Sequence, residues 1–483
     1  MTPERFYQIA AQGHAADIEA ALREFPVSAR VRDPIAMGLR AMRSVTDGDV
    51  PGGIAVLKRA FSVAKGAERE YLLELLVPLL INAHAIDEAE EALESSDGSV
   101  AALAPAFDAS RAIVAARRGH DAESMRLATR ALDAGRSLDD ALLVGRVLSR
   151  AALAAFYRED FDEAQDRALE AARAYERVKS HRNAAMTYSI LYVIANDWTG
   201  DSDVARFHAR RMTMNARLAN DVSLENWGIL AQLGIAVDAG DAERLRSLRT
   251  RLLANPVNEQ YYRERFALVM ADALSLGWDG RFEAARAGLT SLRARELSLA
   301  ERALCDALLA VCAIAVWHKD VALRLARRVV SQTVERRGHE ALFDARMRRT
   351  ARVLAALVCI VLGDSVRGRR ALSRTVDPQQ RFAAAVDAHG IDETVLPVHY
   401  HGYARFLNAA CRLSGAARPA HPLTAAELEI MRALPEGTTL ATIAASLGKS
   451  KKTVERQVGS IYAKLHVANR AQAIRRARDL GIG

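Results

Sequence analysis

An acid in a short turn, followed by an alanine-rich amphipathic stretch, recurs about every forty residues along most of this chain. It reads DGDVPGGIAVL at Asp49, AHAIDEAEEAL at Asp87 and RRGHDAESMRLATRAL at Asp121. REDFDEAQDRALEAA at Asp160, TGDSDVARFHARRM at Asp201 and AGDAERLRSL at Asp241 continue it, then WDGRFEAARAGL at Asp279, WHKDVALRLARRV at Asp320 and GDSVRGRRALSRTV at Asp364. Successive intervals are 38, 34, 39, 41, 40, 38, 41 and 44 residues, and AQGHAADIEAAL near Asp17 adds a first unit. Such a period holds two helices and two turns, which predicts a helical-hairpin solenoid. A unit of that size cannot bury its apolar face alone, so the units must stack.

The turn chemistry agrees. Gly or Asp tolerates the backbone angles of a tight turn, and the acid can cap the helix that follows. Alanines at contact positions, as in EAQDRALEAARAY, let helices approach closely. Aromatics just before the turn (Tyr157, Trp198, Trp278, Trp317) are expected to pack on the neighbouring unit. No segment alternates with period two, so no sheet of consequence is expected. With half of 483 residues hydrophobic and only 12 prolines, the composition also favours an all-α protein. The units resemble tetratricopeptide-type repeats over roughly residues 5–410, though they drift from the strict 34-residue length and lack its full signature. The expected organisation is a repeat body over 1–413, a linker SGAARPAHP over 414–422 and a small unit over 423–483.

Charge is concentrated in that last unit. From His421 to Gly483 there are ten Lys or Arg against five acids; of the chain's net +8 this stretch carries +5, and the 420 residues before it carry +3. Such a tail is expected to meet a polyanion. The start, MTPERFYQIAAQGHAADIEA, has charges where a secretory signal needs an apolar run, and the run Ala307–Trp317 is too short to span a membrane. Cys305, Cys312, Cys359 and Cys411 sit in apolar helical patterns as core thiols, with no zinc-binding spacing. A cytoplasmic protein with neither membrane partner nor cofactor is expected.

The tail contains Gly-Lys-Ser at 448–450, which raises the question of a nucleotide-binding loop. That loop needs a glycine at position 443, after a buried strand; here stands Ile443 in the helical run TTLATIAA. A helix-turn-helix over 440–465 fits instead. Leu440, Ile443, Ala444 and Leu447 face inward on a short helix, Gly448 turns the chain, and Ser450 caps KKTVERQVGSIYAKL. Val454, Val458, Ile461 and Leu465 form the apolar stripe of this second helix. The opposite face carries Lys452, Arg456, Gly459 and Ala463, flanked by Glu455 and Ser460. Lys449, Lys451 and Lys464 stand at its rim, where phosphates of double-stranded DNA would run, while the face enters the major groove. LTAAELEIMRAL precedes it, with Thr424 and Glu427 in capping-box spacing.

The tail resembles the LuxR-type DNA-binding domain. The family pattern appears here in order as Leu423-Thr424, Glu427, Gly437, Ile443-Ala444, Leu447, Ser450, Thr453-Val454, Lys464-Leu465, Val467 and Asn469-Arg470, with Gln472 and Ala473 extending it. The resemblance implies a four-helix unit, DNA contacts from Lys449 through Thr453 and from Arg456 and Arg470, and a homodimer through the last helix, RAQAIRRARDL. Glu455 stands where the family favours Lys and Gln457 where it favours His, so an altered base preference is expected; Glu455 is suited to accept from a cytosine amino group. Repeats followed by this tail resemble the back half of MalT-class regulators, without their NTPase module.

Control is then expected to pass through the repeat body, by a peptide, protein or small-molecule effector in its groove. Tyr188, Tyr192, Asn196, Asn226, Gln232, Arg265 and Asp272, on the first helices of their hairpins, are the candidate groove residues. His399, His401 and Tyr403, near Asp392 and Glu393, are the one grouping that resembles a metal or catalytic site. Three readings follow: a sequence-specific transcriptional regulator, a repeat adaptor with a degenerate DNA-binding tail, and, remotely, an enzyme with a site near His399–Tyr403.

Overall fold

The computed structural model of the protein describes residues 1–255, 262–333, 342–372, 386–387, 390–391, 396, 398–414, 423, 425–434, 439–465, 467 and 469–479. The first hairpins are built from α1 (Pro3–Gln12), α2 (Ala15–Arg23), α3 (Pro34–Thr46), α4 (Val50–Val63), α5 (Gly66–Asn82) and α6 (Ile86–Glu94). α7 (Ala104–Arg117), α8 (Asp121–Gly135), α9 (Ala141–Tyr157) and α10 (Phe161–Arg177) follow. α11 (His181–Val193) continues as a π-helix over Ile194–Thr199 and leads to α12 (Ser202–Leu218), α13 (Val222–Ala239), α14 (Ala242–Ala254) and α15 (Tyr262–Trp278). The series closes with α16 (Phe282–Arg293), α17 (Leu299–Ala315), α18 (Lys319–Gln332), α19 (Leu342–Val361) and α20 (Ser365–Leu372). The fold is all-helical; among the described residues the only ladder joins β1 (Val386–Asp387) to β2 (Gly390–Ile391), antiparallel with Val386 opposite Ile391.

From α3 onward, the odd helices of the body enter the next even one through the same kind of turn. A left-handed residue is followed by an amide that reaches back to a carbonyl of the last helical turn, the Schellman closure. It recurs as His120 N–H to Ala115 O (2.9 Å), Asp160 to Ala155 (3.0 Å), Asp241 to Ala236 (2.9 Å) and Asp364 to Cys359 (2.8 Å). Gly119, Gly240 and Gly363 supply the positive φ without strain, whereas Glu159 and Trp317 adopt it at φ 65° despite their side chains. The recurrent acid caps the even helix at Asp49, Asp160, Asp201 and Asp241. At Asp87, Asp121 and Asp320 it sits inside the first helical turn, where it meets the positive end of the helix dipole.

Even and odd helices play different parts. An even helix buries one face, as α10 does through Ala164, Ala168, Ala171, Ala172 and Tyr175. Odd helices are buried nearly all round, because they pack on their even neighbours and most also on the next odd helix, as α7 on α9, α11 on α13 and α17 on α19. A fully buried Glu74 pins α5 to α9 by accepting from Arg146 Nε (2.7 Å) and from Arg150. The layer of odd helices is covered from its other side by α1 and by the helix that precedes the tail. α1 crosses it near α5 and α11, with Gln8 bonded to Asp140 (2.6 Å) and Asn183 to the Ala11 carbonyl (2.7 Å). α21 (His401–Ser414) lies against α13, α15, α17 and α19.

Close packing at α21 depends on two glycines. Phe406 is fully buried in a notch at Gly277, and Gly402 rests on the carbonyl of Val237 while accepting the Trp278 indole N–H at 2.9 Å. Tyr157 thus packs on the neighbouring unit as expected, receiving a hydrogen bond from Arg117 at 3.1 Å, while Trp278 packs on α21. Trp198, though 62% exposed, stacks on Phe161 of the preceding hairpin with ring centroids 4.2 Å apart, whereas Trp317 is 66% exposed. All four cysteines are buried, and burial raises their thiol pKa values, which keeps them protonated. Of the expected linker, Ser414 ends α21 and 415–422 lie outside the described residues.

Candidate nucleic-acid interface

The tail folds around its own small core. α22 (Ala425–Arg432), α23 (Leu440–Ser446), α24 (Lys451–Leu465) and α25 (Arg470–Asp479) bring together Leu423, Ile430, Met431, Leu434, Ile443, Ala444, Val454, Val458, Ile461, Leu465, Ala473 and Ile474. Thr439 caps α23 by accepting from the Thr442 amide at 3.2 Å. Gly448 then turns the chain at φ 62°, and Lys449 N–H closes the turn on the Ala444 carbonyl at 2.9 Å. Nothing lies within 4 Å of a Cβ built at Gly448, so backbone angle rather than space makes glycine fit there. Ser450 caps α24, accepting from the Thr453 amide at 3.1 Å, with the two hydroxyls 2.7 Å apart.

With Val454, Val458, Ile461 and Leu465 buried, α24 presents the face expected of it. Lys451, Lys452, Thr453, Glu455, Arg456 and Gly459 are all exposed, and a Cβ at Gly459 would meet open space. Among the described residues Lys452 and Arg456 have no acidic partner. Two long unpaired cations next to a residue without a side chain can approach a phosphate-lined groove closely.

The other cations are held within the tail. Lys449 lies 3.2 Å from Glu429, and Lys451 3.7 Å from Glu455, one helical turn on; both are exposed pairs, worth little and exchangeable with a polyanion. Glu455 therefore sits beside a lysine of its own helix. Lys464 is different. The buried carboxylate of Glu427 accepts from Lys464 Nζ at 2.6 and 2.9 Å and from Ser460 Oγ at 2.7 Å, strapping α22 to α24. Thr424, proposed as the capping partner of Glu427, lies outside the described residues. Arg470 opens α25 and is half-buried, with Asn469 capping that helix through the Gln472 amide at 2.9 Å.

The residues proposed to line an effector groove are not brought together in an open cleft. Tyr188, Tyr192, Asn196, Asn226 and Gln232 are buried and hydrogen-bonded inside the body. Tyr188 donates to Glu176 (3.0 Å), Asn226 to Glu264 (3.1 Å), Gln232 to Thr213 (2.9 Å) and Asn196 to Asp197 (2.7 Å). Asp272 is half-exposed and paired with Arg249 at 3.0 Å, and Arg265 is half-buried. The side of the odd helices on which a ligand was expected is occupied by α1 and α21.

What packs there is a polar knot that local sequence does not announce. Arg346 of α19 bonds Asp238 of α13 and the Tyr192 hydroxyl (3.2 Å) and lies 3.4 Å from Asp197 in the π-helix. Burial pushes Asp238 up to about 7 and Tyr192 up to about 12. His399 is lowered to about 4, mainly by burial and then by Arg346 and Arg349. Its ring lies tilted against that of Tyr400, centroids 4.2 Å apart, while His401 bonds the Leu396 carbonyl at 2.8 Å. The two imidazoles thus serve packing and a backbone contact; Asp392 and Glu393 lie outside the described residues. Among the described residues there is no His/Cys/Asp/Glu grouping able to hold a metal, and no helix is long and apolar enough to cross a membrane.

Residues 421–477 match the family described as bacterial regulatory proteins of the luxR family. Among curated proteins none matches the chain.

Proposed function

We propose, from a LuxR-type DNA-binding domain at residues 421–477, that this transcription regulator reads specific sequences in double-stranded DNA through the exposed face of α24. The observation that supports the reading is the pair Lys452 and Arg456, solvent-facing and without acidic partners among the described residues, on the side of α24 opposite its buried stripe. Arg456 and Gly459 approach base edges, Lys452, Ser450 and Thr453 the flanking phosphates, and Lys449 and Lys451 leave their surface partners for phosphate. Ser460 and Lys464 act through Glu427, holding α24 at its angle. Arg470 stands at the border of the face. The unit acts as a homodimer, and the repeat body, separated from it by residues 414–422, answers to a peptide, protein or small-molecule effector.

The test is selection of bound fragments from random double-stranded DNA, followed by titration of the best fragment. Arg456→Ala is expected to weaken that fragment by about 1–3 kcal/mol and relax preference at the base it reads. Lys452→Ala should weaken all fragments alike and lower the salt slope by about one unit. Equal, salt-insensitive retention by wild type and Arg456→Ala would overturn the reading and favour a protein-binding adaptor.

A further inference from the structure

Even helices of the body turn one face to solvent, and on α12 that face is apolar except at Arg211, whose guanidinium is tied to Glu176 and the Tyr188 hydroxyl. Val204, Phe207, Met214 and Leu218 are 41, 55, 42 and 57% exposed. With Arg211 they follow one another at spacings of three, four, three and four, which is the seam of a coiled coil. At 100° per residue the five positions share one narrow stripe, well separated from Ala205, Ala209, Met212 and Ala216, which the body buries. Among the described residues every other even helix exposes at most one large apolar side chain: Val63 on α4, Met125 on α8, Leu253 on α14, Val321 on α18 and Val366 on α20. The pattern is therefore particular to α12.

The stripe has a charged flank. Arg206, Arg210 and Arg217 run beside it, and Arg244 of α14 joins them. Arg206 is matched by Asp203 and Arg217 by Glu225, each at 2.6 Å, while Arg210 has no acidic partner among the described residues. The Arg244 guanidinium is lowered by burial and by the like charges of Arg206 and Arg210, which marks a local excess of positive charge.

We propose that the outer face of α12 docks an acidic amphipathic helix of another protein. The spacing of the seam calls for a helix, since alternate apolar residues of a strand would not follow a three–four step. From Val204 to Leu218 the seam runs roughly 21 Å, enough for about four turns of a partner. The flanking cations call for acids beside the partner's apolar residues. They also disfavour a second copy of this chain, because self-pairing sets Arg210 and its neighbours against the same cations. The proposal is independent of DNA binding.

A labelled synthetic peptide of about 20 residues, with Leu at seam positions, Glu at flanking positions and Ala and Gln elsewhere, provides the probe for fluorescence polarisation with the full chain. The expected result is saturable, salt-sensitive binding that falls at least about tenfold for Phe207→Ser/Leu218→Ser and for Arg210→Glu, with unchanged circular dichroism. The same peptide with Lys for Glu should bind at least about tenfold more weakly. Equal binding of the acidic and basic peptides, or unchanged binding by the double variant, overturns the proposal. So does a wild-type dimer in sedimentation that Phe207→Ser/Leu218→Ser disperses, which would give the seam to a second copy.

Discussion

Replacing Gly402 by Ala tests whether α21 is seated as described. A Cβ at this position would overlap the carbonyl oxygen of Val237, a main-chain atom of a buried helix that cannot yield as a flexible side chain would. α21 therefore has to lift. Overpacking of a close-fitted core costs about 1–3 kcal/mol. Lifting also breaks the 2.9 Å bond from the Trp278 indole to Gly402, about 1 kcal/mol. It withdraws Phe406, fully buried at the Gly277 notch, where partial re-exposure adds about 1–2 kcal/mol. The sum is about 3–6 kcal/mol, enough to make α21 open locally before the body unfolds. Native-state hydrogen exchange on peptides covering 401–414 reads this directly, as a rise in exchange of α21 with little change in α5 or α9. Gly459→Ala is the matched control: its Cβ meets open space in an exposed helix, so the same substitution should stabilise α24 by about 0.5–1 kcal/mol. Wild-type protection of α21 in Gly402→Ala would refute the seating and, with it, the statement that the odd-helix layer is covered there.

Further outcomes follow from other sites. Glu427→Ala leaves Ser460 and Lys464 without their shared acceptor and should lower the stability of the tail by about 1–3 kcal/mol, measured on an urea transition followed by exchange in α24. Glu74→Gln strands two buried guanidinium groups and is expected to cost about 3–5 kcal/mol in the amino-terminal hairpins, read by the same method. Burial lowers His208 to about 4, so the folded state binds fewer protons than the unfolded one between that value and the ordinary imidazole value. Its contribution is complete above pH ~6.5 and is lost as pH falls toward 4; His208→Phe should flatten that acid limb in a pH series of urea midpoints, and an unchanged limb would contradict it.

Much of the architecture could be read from local chemistry. Turn residues such as Gly119, Gly240 and Gly363, each with an acid one or two residues on, announce a hairpin because positive φ and helix capping are properties of neighbouring residues. The buried stripe of α24 and its cationic opposite face are likewise set by helical periodicity within fifteen residues. Ser450 and Gly448 do in the structure what their positions imply.

Contacts between distant segments were decided only by the tertiary structure. Tyr192 on α11 and Gln232 on α13 look like groove residues when each helix is read alone, yet stacking of the hairpins buries them and supplies Arg346 and Thr213 as partners. Lys464 looks like a phosphate contact until α22 brings Glu427 beside it from 37 residues away. The covering of the odd-helix layer by α1 and α21 is of the same kind: each is an ordinary amphipathic helix, and nothing within it specifies which surface it meets. Periodicity determines which face of a helix is apolar; only the assembled layers determine what lies against that face, because burial of an apolar surface is favourable against any complementary neighbour.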